Sequence, residues 1–332
     1  QLGIGGWQPF SSSFVHEKKY GDCKALSFYT KSLLERYGIE GHYTLIRAGR
    51  GAANVSENFP NAHFNHAILT VPLEQDTVFL ECTSQTNPYG YLGTFTSNRN
   101  ALLITPEGGK LIRTKKYTVE DNVQKTKVVV DLSKEGDAKV SFTRTFTGIE
   151  IENYGFEHLY YKSEKEQSEW FVDNHEWGDM KLDHFSMESM QEGEVPEAGF
   201  QAAFIVNNEA KKMGSRLFLK PGKYVDSFVS KLSSDERKKP ITIRYGYTQI
   251  DTIIYETPVY FHFEKGLDEV KMDTKYGYYQ RSLNRSGEKI IYTRQFILKD
   301  GKYAPEEYEA FKNFINSVNK YDRQRVVVKG ET

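Results

Sequence analysis

Between Tyr20 and Gly38 the chain reads YGDCKALSFYTKSLLERYG, the stretch that most constrains the fold around it. From Cys23 the apolar positions Leu26, Tyr29, Leu33, Leu34 and Tyr37 recur at intervals of three and four, which predicts a helix with one buried face, and Gly38 supplies a left-handed stop. Cys23 falls in the first turn. Asp22 is a good N-cap, and the free N–H groups and dipole of that helix end stabilise an anion close to it. A thiol so placed can have its pKa lowered to roughly 3.5–7.5 from about 8.5, particularly with a histidine partner. Cys23 is therefore a candidate nucleophile. The other reading is a small buried hydrophobe, because free cysteine is among the most buried residue types.

A thiolate nucleophile needs a base that takes and returns its proton, and the base needs a group that holds its tautomer. After the helix, GHYTLIRAG (Gly41 to Gly49) alternates in strand fashion, and HFNHAILTV and TVFLECT, joined by PLEQD, read as a hairpin. If His66 stands opposite Glu81 or Thr83, then His66 and Glu81 share a face and can touch; opposite Cys82, they cannot. Register parity decides between these. Phe64, Ile68 and Thr70 would share the face of His66 and shelter the imidazole–carboxylate contact. His63 and His66 form HxxH, which invites zinc, yet on a strand they point to opposite faces and no second ligand pair stands near. No metal and no cofactor is expected. His16 and His42 are closer to Cys23 in sequence, but His42 has no hairpin partner carrying an acid. An oxyanion hole would use the Cys23 backbone N–H and one further donor, with Gln8 or Trp7 as candidates. Cys82 lies in the strand VFLECT, away from any helix end, where packing is its expected role; a Cys23–Cys82 bridge would tie a helix start to a strand and is not expected.

The opening QLGIGGWQPF reads as irregular, a polar loop runs to about Asn61, and TNPYGYLGTFTSNRN reads as a second loop before the strand or strands of ALLITPEGGKLIRT. From about Thr114 the character changes to a series of β patterns. TKVVVDL and KVSFTRTF flank the turn SKEGDA as a hairpin, and FQAAFIVNN, ITIRYGYTQIDTIIYET and EKIIYTRQFIL are further strands. A helical stretch interrupts them from about Tyr160 to Asn174. A last helix starts near Pro305, with Tyr308, Phe311, Phe314, Ile315 and Val318 as its apolar stripe. With 332 residues the chain is long enough for two domains, and the boundary is placed near Ile112–Tyr117. The 44 Lys plus Arg and 45 Asp plus Glu give a net charge of −1, which offers no electrostatic footprint for nucleic acid or an anionic membrane. Abundant Tyr (22) and Phe (21) with scarce Met (5) and Cys (2) lean toward a sheet-rich, exported protein. No apolar run approaches the roughly 20 residues of a membrane span. Because residue 1 is Gln, the chain reads as a processed or excised piece.

YGDCKALS, FNHAILTV and FLECTSQTNPYGYLG together resemble the bacterial transglutaminase-like proteins, papain-like cysteine enzymes with a GDCK cysteine, an FNH-type histidine and the acid of a WLDPT-type strand. The resemblance covers about Gly5 to Thr114. It implies Cys23 as nucleophile, His66 as base and Glu81 as orienting acid, with Glu standing where the family has Asp and Cys82 where it has Pro. It also implies the cell envelope of a bacterium, periplasmic or secreted, and an N-terminal part that precedes this piece. The expected architecture is α+β: a papain-like, transglutaminase-type core over residues 1–114, then a β-sandwich-like region with a C-terminal helix over 115–332. The expected activity is thiol-dependent acyl transfer on peptide or side-chain amides of a peptide or protein partner, with hydrolysis as the outcome. The alternatives are a cross-linking transglutaminase and a non-catalytic module that holds a peptide or glycan, the β region making any carbohydrate contact.

Overall fold

The computed structural model describes residues 6–58, 63–188, 191, 193–226, 232, 237–257 and 261–330. Within the opening segment and the loop that ends near Asn61, residues 1–5 and 59–62 lie outside the described residues. The chain forms two compact units. One comprises Gln1–Tyr117 with Glu152–Glu157 and Gln191–Pro196, and the other comprises Thr118–Ile151, His158–Met190 and Glu197–Thr332.

The first unit begins with helix α1 (Ser12–Lys18), capped where the Ser11 hydroxyl accepts from the Phe14 N–H at 3.3 Å. Its one buried residue is Val15, so no apolar stripe betrays it in the sequence. Helix α2 (Cys23–Arg36) starts at the cysteine and stops at Gly38, which takes φ +72° while the Gly38 and Ile39 N–H groups turn back to the carbonyls of Glu35 and Leu34. An antiparallel sheet of five strands follows, ordered β3-β2-β1-β4-β5: β1 (His42–Ile46), β2 (His66–Pro72), β3 (Thr77–Leu80), β4 (Asn100–Thr105) and β5 (Gly108–Arg113). On one face Leu69, Val71 and Val78 form a buried cluster with Leu34 of α2, Leu80 and Cys82. The Ser27 hydroxyl pins α2 to this sheet by donating to the Ala67 carbonyl at 3.2 Å. The segment read as a loop between β3 and β4 contains a one-turn helix, α3 (Gly93–Thr96), too short to show periodicity.

In the second unit, eight strands form one mixed sheet in the order Val270–Thr274, Gly277–Ser286, Lys289–Leu298, Tyr247–Glu256, Val123–Leu132, Ala138–Thr147, Glu197–Asn207, Asp179–Met187. The Tyr247–Glu256 and Val123–Leu132 strands run parallel. The helix Tyr308–Asp322 buries Phe311, Phe314, Ile315 and Val318 against Tyr279, Phe296 and Leu298. The helix Glu164–Asn174 sets Phe171 against Phe142, Phe200 and Phe204 on the same face. Along Val123–Leu132 buried positions alternate with Lys125, Lys127 and Asp131 in solvent. That is the signature of a sheet covered on one side. This unit also contains a four-stranded sheet in the order Lys211–Met213, Arg216–Leu219, Val326–Gly330, Phe261–Lys265, and the C-terminal helix of the expected architecture is present. A correction concerns ITIRYGYTQIDTIIYET. It splits into Ile241–Ile243, paired with Gly301–Tyr303, and Tyr247–Glu256, because Gly246 sits so close to Val119 and the Leu298 carbonyl that no side chain fits there.

Candidate active site

Asp22 closes the N-terminus of α2. One carboxylate oxygen accepts from the Ala25 N–H at 3.0 Å, and the other pairs with the ammonium of Lys24, both side chains being 6% exposed. Cys23, half-buried, is the first helical residue. Strand β2 carries His66 and Ala67 close enough to Cys23 that His66 and the Ala67 backbone N–H both favour the charged form of its thiol. The β2–β3 ladder pairs Leu69 with Leu80, which extrapolates to His66 opposite Thr83, the diagonal one of the two permitted registers. His66 Nε2 accordingly lies 2.9 and 3.0 Å from the two carboxylate oxygens of Glu81. A carboxylate there requires Nε2–H as donor, which leaves Nδ1 for the sulfur.

Electrostatics follow from this geometry. Burial pushes the Cys23 thiol up, but the hydrogen bond and charge of His66, the Ala67 N–H and the Lys24 ammonium outweigh it, so the thiol is lowered. Burial pushes His66 down, while its bonds to Cys23 and Glu81 and their charges raise it to about 9. Both shifts favour the thiolate–imidazolium form of the pair. Cys82 contrasts with this: burial raises its thiol, with only partial offset from Thr30 and Ser27. Like Leu34 and Leu80, it packs against the buried cluster of Leu69, Val71 and Val78.

Several supporting residues carry no signal in the sequence. Glu81 is itself held by Thr83, whose hydroxyl donates to it at 2.6 Å and whose N–H does so at 3.3 Å. The ring of Phe95, from α3, meets His66 edge-on with centroids 5.2 Å apart. Asn65 clamps Ala48, accepting from its N–H at 2.7 Å and donating to its carbonyl at 3.0 Å, and so fixes where β2 begins. Buried Arg99 donates to the carbonyls of Arg47, Gly49, Ser97 and Thr94, tying the end of β1 to α3.

A cleft of about 890 Å³ opens over the sulfur, walled by Trp7, Tyr20, Phe64, Cys82, Thr83 and Gln85 among others. Trp7 is thereby brought to the cleft, whereas Gln8 is exposed and stands outside its wall. Gln85 is the wall amide that the sequence reading missed. His63 and His66 are not brought together as ligands, and among the described residues no group of three His, Cys, Asp or Glu is placed to hold a metal ion.

A family model described as "Domain of Unknown Function with solved-structure structure (DUF3858)" matches residues 215–328, which lie in the second unit. No curated protein matches the chain. Among solved structures, the chain is similar to the crystal structure of a "putative protease" from Parabacteroides distasonis ATCC 8503, with a TM-score of 0.52 and 12% identity. The match covers 99% of this chain and 48% of that one, so the chain spans about half the length of that structure. At this identity the likeness is one of fold.

Proposed function

We propose that this chain is a thiol-dependent acyl-transfer enzyme with a transglutaminase-like, papain-like core, and that it hydrolyses peptide amides. The observation that carries the reading is the Glu81 carboxylate held 2.9 and 3.0 Å from His66 Nε2, with Cys23 at the start of α2 and its thiol lowered by His66. In acylation the Cys23 thiolate attacks the amide carbonyl carbon, and the carbonyl π electrons move to oxygen, where the Cys23 backbone N–H offers a donor. Collapse reforms the carbonyl and breaks the C–N bond as the His66 imidazolium gives its proton to the departing amine. The thioester is then cleaved by water, whose proton returns to His66, releasing the acid and restoring the thiolate. Glu81 holds the ring and stabilises its cationic form throughout.

Water or an amine can resolve the thioester, and the same three side chains serve both. An acceptor lysine would need a tunnel that excludes water. The cleft instead mixes Trp7 and Phe64 with Lys19, Thr83 and Gln85, which supports a wet site and hydrolysis. The bacterial envelope is the compartment we propose, on the sequence resemblance. Purified protein should release free acid from peptide amides and incorporate little labelled primary amine, with both signals abolished in Cys23→Ala. Amine incorporation exceeding hydrolysis would reassign it as a cross-linking enzyme. No turnover with an unreactive Cys23 would favour a peptide-holding module.

A further inference from the structure

Among the described residues of the cleft wall, Asp22 is the one acid, and both its carboxylate oxygens are taken, one by the Ala25 N–H and the other by the Lys24 ammonium. That pair leaves no net charge at this point of the wall. Glu81, which orients His66, is likewise occupied, by His66 and by Thr83. Lys19 lies on the same wall, is exposed, and has no acid partner among the described residues. The Gln85 amide and the Trp7 indole N–H, also on the wall, have no hydrogen-bond partner among the described residues either. An ammonium and an indole N–H can only donate, and a glutamine amide can donate as well. The cleft therefore meets its substrate with one uncompensated positive charge and a set of free donors.

Two further features bear on Lys19. It is the C-cap of α1, at φ 53° and ψ 29°, with its N–H turned back to the Val15 carbonyl. Glycine takes such a left-handed position most readily, whereas a lysine there bears strain, of the kind that collects at binding sites. Trp7 and Tyr20, 48% and 59% exposed, add large apolar surfaces to the same wall. A charge set among such low-dielectric surfaces raises the local concentration of a counter-charged ligand more than one in open water does.

We propose that the cleft takes peptides carrying a carboxylate close to the scissile amide, and that Lys19 is the residue that selects for it. The proposal rests on the reading of the cleft as the site of peptide hydrolysis by Cys23. The carboxylate comes from a Glu or Asp side chain or from the C-terminus of the peptide, since both present the same pair of acceptor oxygens to an ammonium. The contact holds bound substrate and transition state alike, so it should act on KM and leave kcat little changed.

The test uses the full chain and blocked peptides of one neutral sequence, in which Gln, Glu or Lys is moved through the positions around the cleavage site. One further neutral peptide keeps a free C-terminal carboxylate, and the released acid is read by mass spectrometry. At low ionic strength the best-placed carboxylate should raise kcat/KM about fivefold over its neutral counterpart, the upper range for an exposed ion pair. The advantage should fade in about 1 M salt, where the screening length is about 3 Å. Lys19→Gln should remove the preference and Lys19→Glu should reverse it. Each preference is a ratio within one protein, so partial unfolding of a variant cannot imitate its loss. An advantage for internal Glu names the side chain as the group selected, and one confined to the free C-terminus names the terminal carboxylate. Protection of Cys23 from iodoacetamide by the same peptides gives the same ratios without turnover. Equal handling of the charged and neutral peptides, or a carboxylate preference that persists in Lys19→Gln, would overturn the proposal and leave hydrolysis by Cys23 standing. No turnover with an unreactive Cys23 would overturn both.

Discussion

His66 is the residue through which the site communicates. Its proton is retained to about 9 because Cys23 and Glu81 outweigh its burial, while the same imidazolium helps to lower the Cys23 thiol. Hydrolysis by such a pair should show a plateau that rises as Cys23 ionises and falls above about pH 9, where the general acid loses its proton. Glu81→Gln removes the charge that lifts His66, so the alkaline limb should move to lower pH. The weaker imidazolium also supports the thiolate less, so the acidic limb should move up. The window narrows from both sides, and the plateau should drop about 10²–10⁴-fold through loss of the oriented tautomer. A pH–rate profile with unchanged limbs in Glu81→Gln would show that Glu81 acts on neither partner. Helix spacing puts Cys23 at a helix start from the sequence, but the register that brings His66 to Glu81 stays open there, because the turn sets it and the turn geometry is not written in the residues. Thr83 and Phe95 carry no signal there either, since each acts through a contact set by register or by a one-turn helix.

Among the elements, those with strong periodicity were readable and those set by packing were not. The helix read from about Tyr160 to Asn174 begins instead at Glu164, where a full capping box of Ser163 with Glu166 sets its start, and it ends at Asn174 as expected. That C-terminal end is decided by tertiary contacts. His175, directly after it, donates Nδ1–H to the Phe171 carbonyl at 2.8 Å and lies among Phe142, Trp170, Phe171, Trp177 and Phe200. Burial in this aromatic shell, with the Arg144 charge adding to it, lowers His175 to about 4. The folded state thus holds it neutral while the unfolded chain protonates it near 6.5. Its contribution is fully present above about pH 6.5 and is lost as pH falls towards 4, amounting to about 3 kcal/mol across that window. Denaturant unfolding at pH 7 and pH 4 should show a loss of this size in the unaltered chain beyond that in His175→Phe. An equal pH dependence in both would mean that the shell admits water.

At the scale of the whole molecule, the candidate site depends on residues that a single cut in the sequence would discard. A boundary near Ile112–Tyr117 follows the change of pattern in the chain, yet the compact unit that contains Cys23 also includes Glu152–Glu157 and Gln191–Pro196. No periodicity could announce this, because what returns is a few single polar side chains: Asn153 on Arg50, Glu194 on Lys115, and Glu152. Glu152 accepts from the Thr94 N–H at 3.0 and 3.1 Å, from the Thr94 hydroxyl at 2.7 Å and from the Tyr91 hydroxyl at 2.8 Å, and thereby caps α3. Gly93, at φ +56°, completes the fit, since any side chain there would strike the Glu152 carboxylate. Phe95 sits in the same turn, with its ring against His66. In Glu152→Ala the buried donors of Thr94 lose a charged acceptor, which should destabilise the fold by about 3 kcal/mol. The turn should loosen, and Phe95 with it, so that water reaches His66 and its bond to Glu81 weakens. Alkylation of Cys23 at pH 6 should then slow in Glu152→Ala while the Cys82 rate stays low in both proteins. Fragments ending at Tyr117 should share the defect, having lost the same carboxylate. A Glu152→Ala protein with unchanged unfolding midpoint and unchanged Cys23 reactivity would mean that α3 is held by Arg99 and its own packing, and that the site is complete without the returning segment.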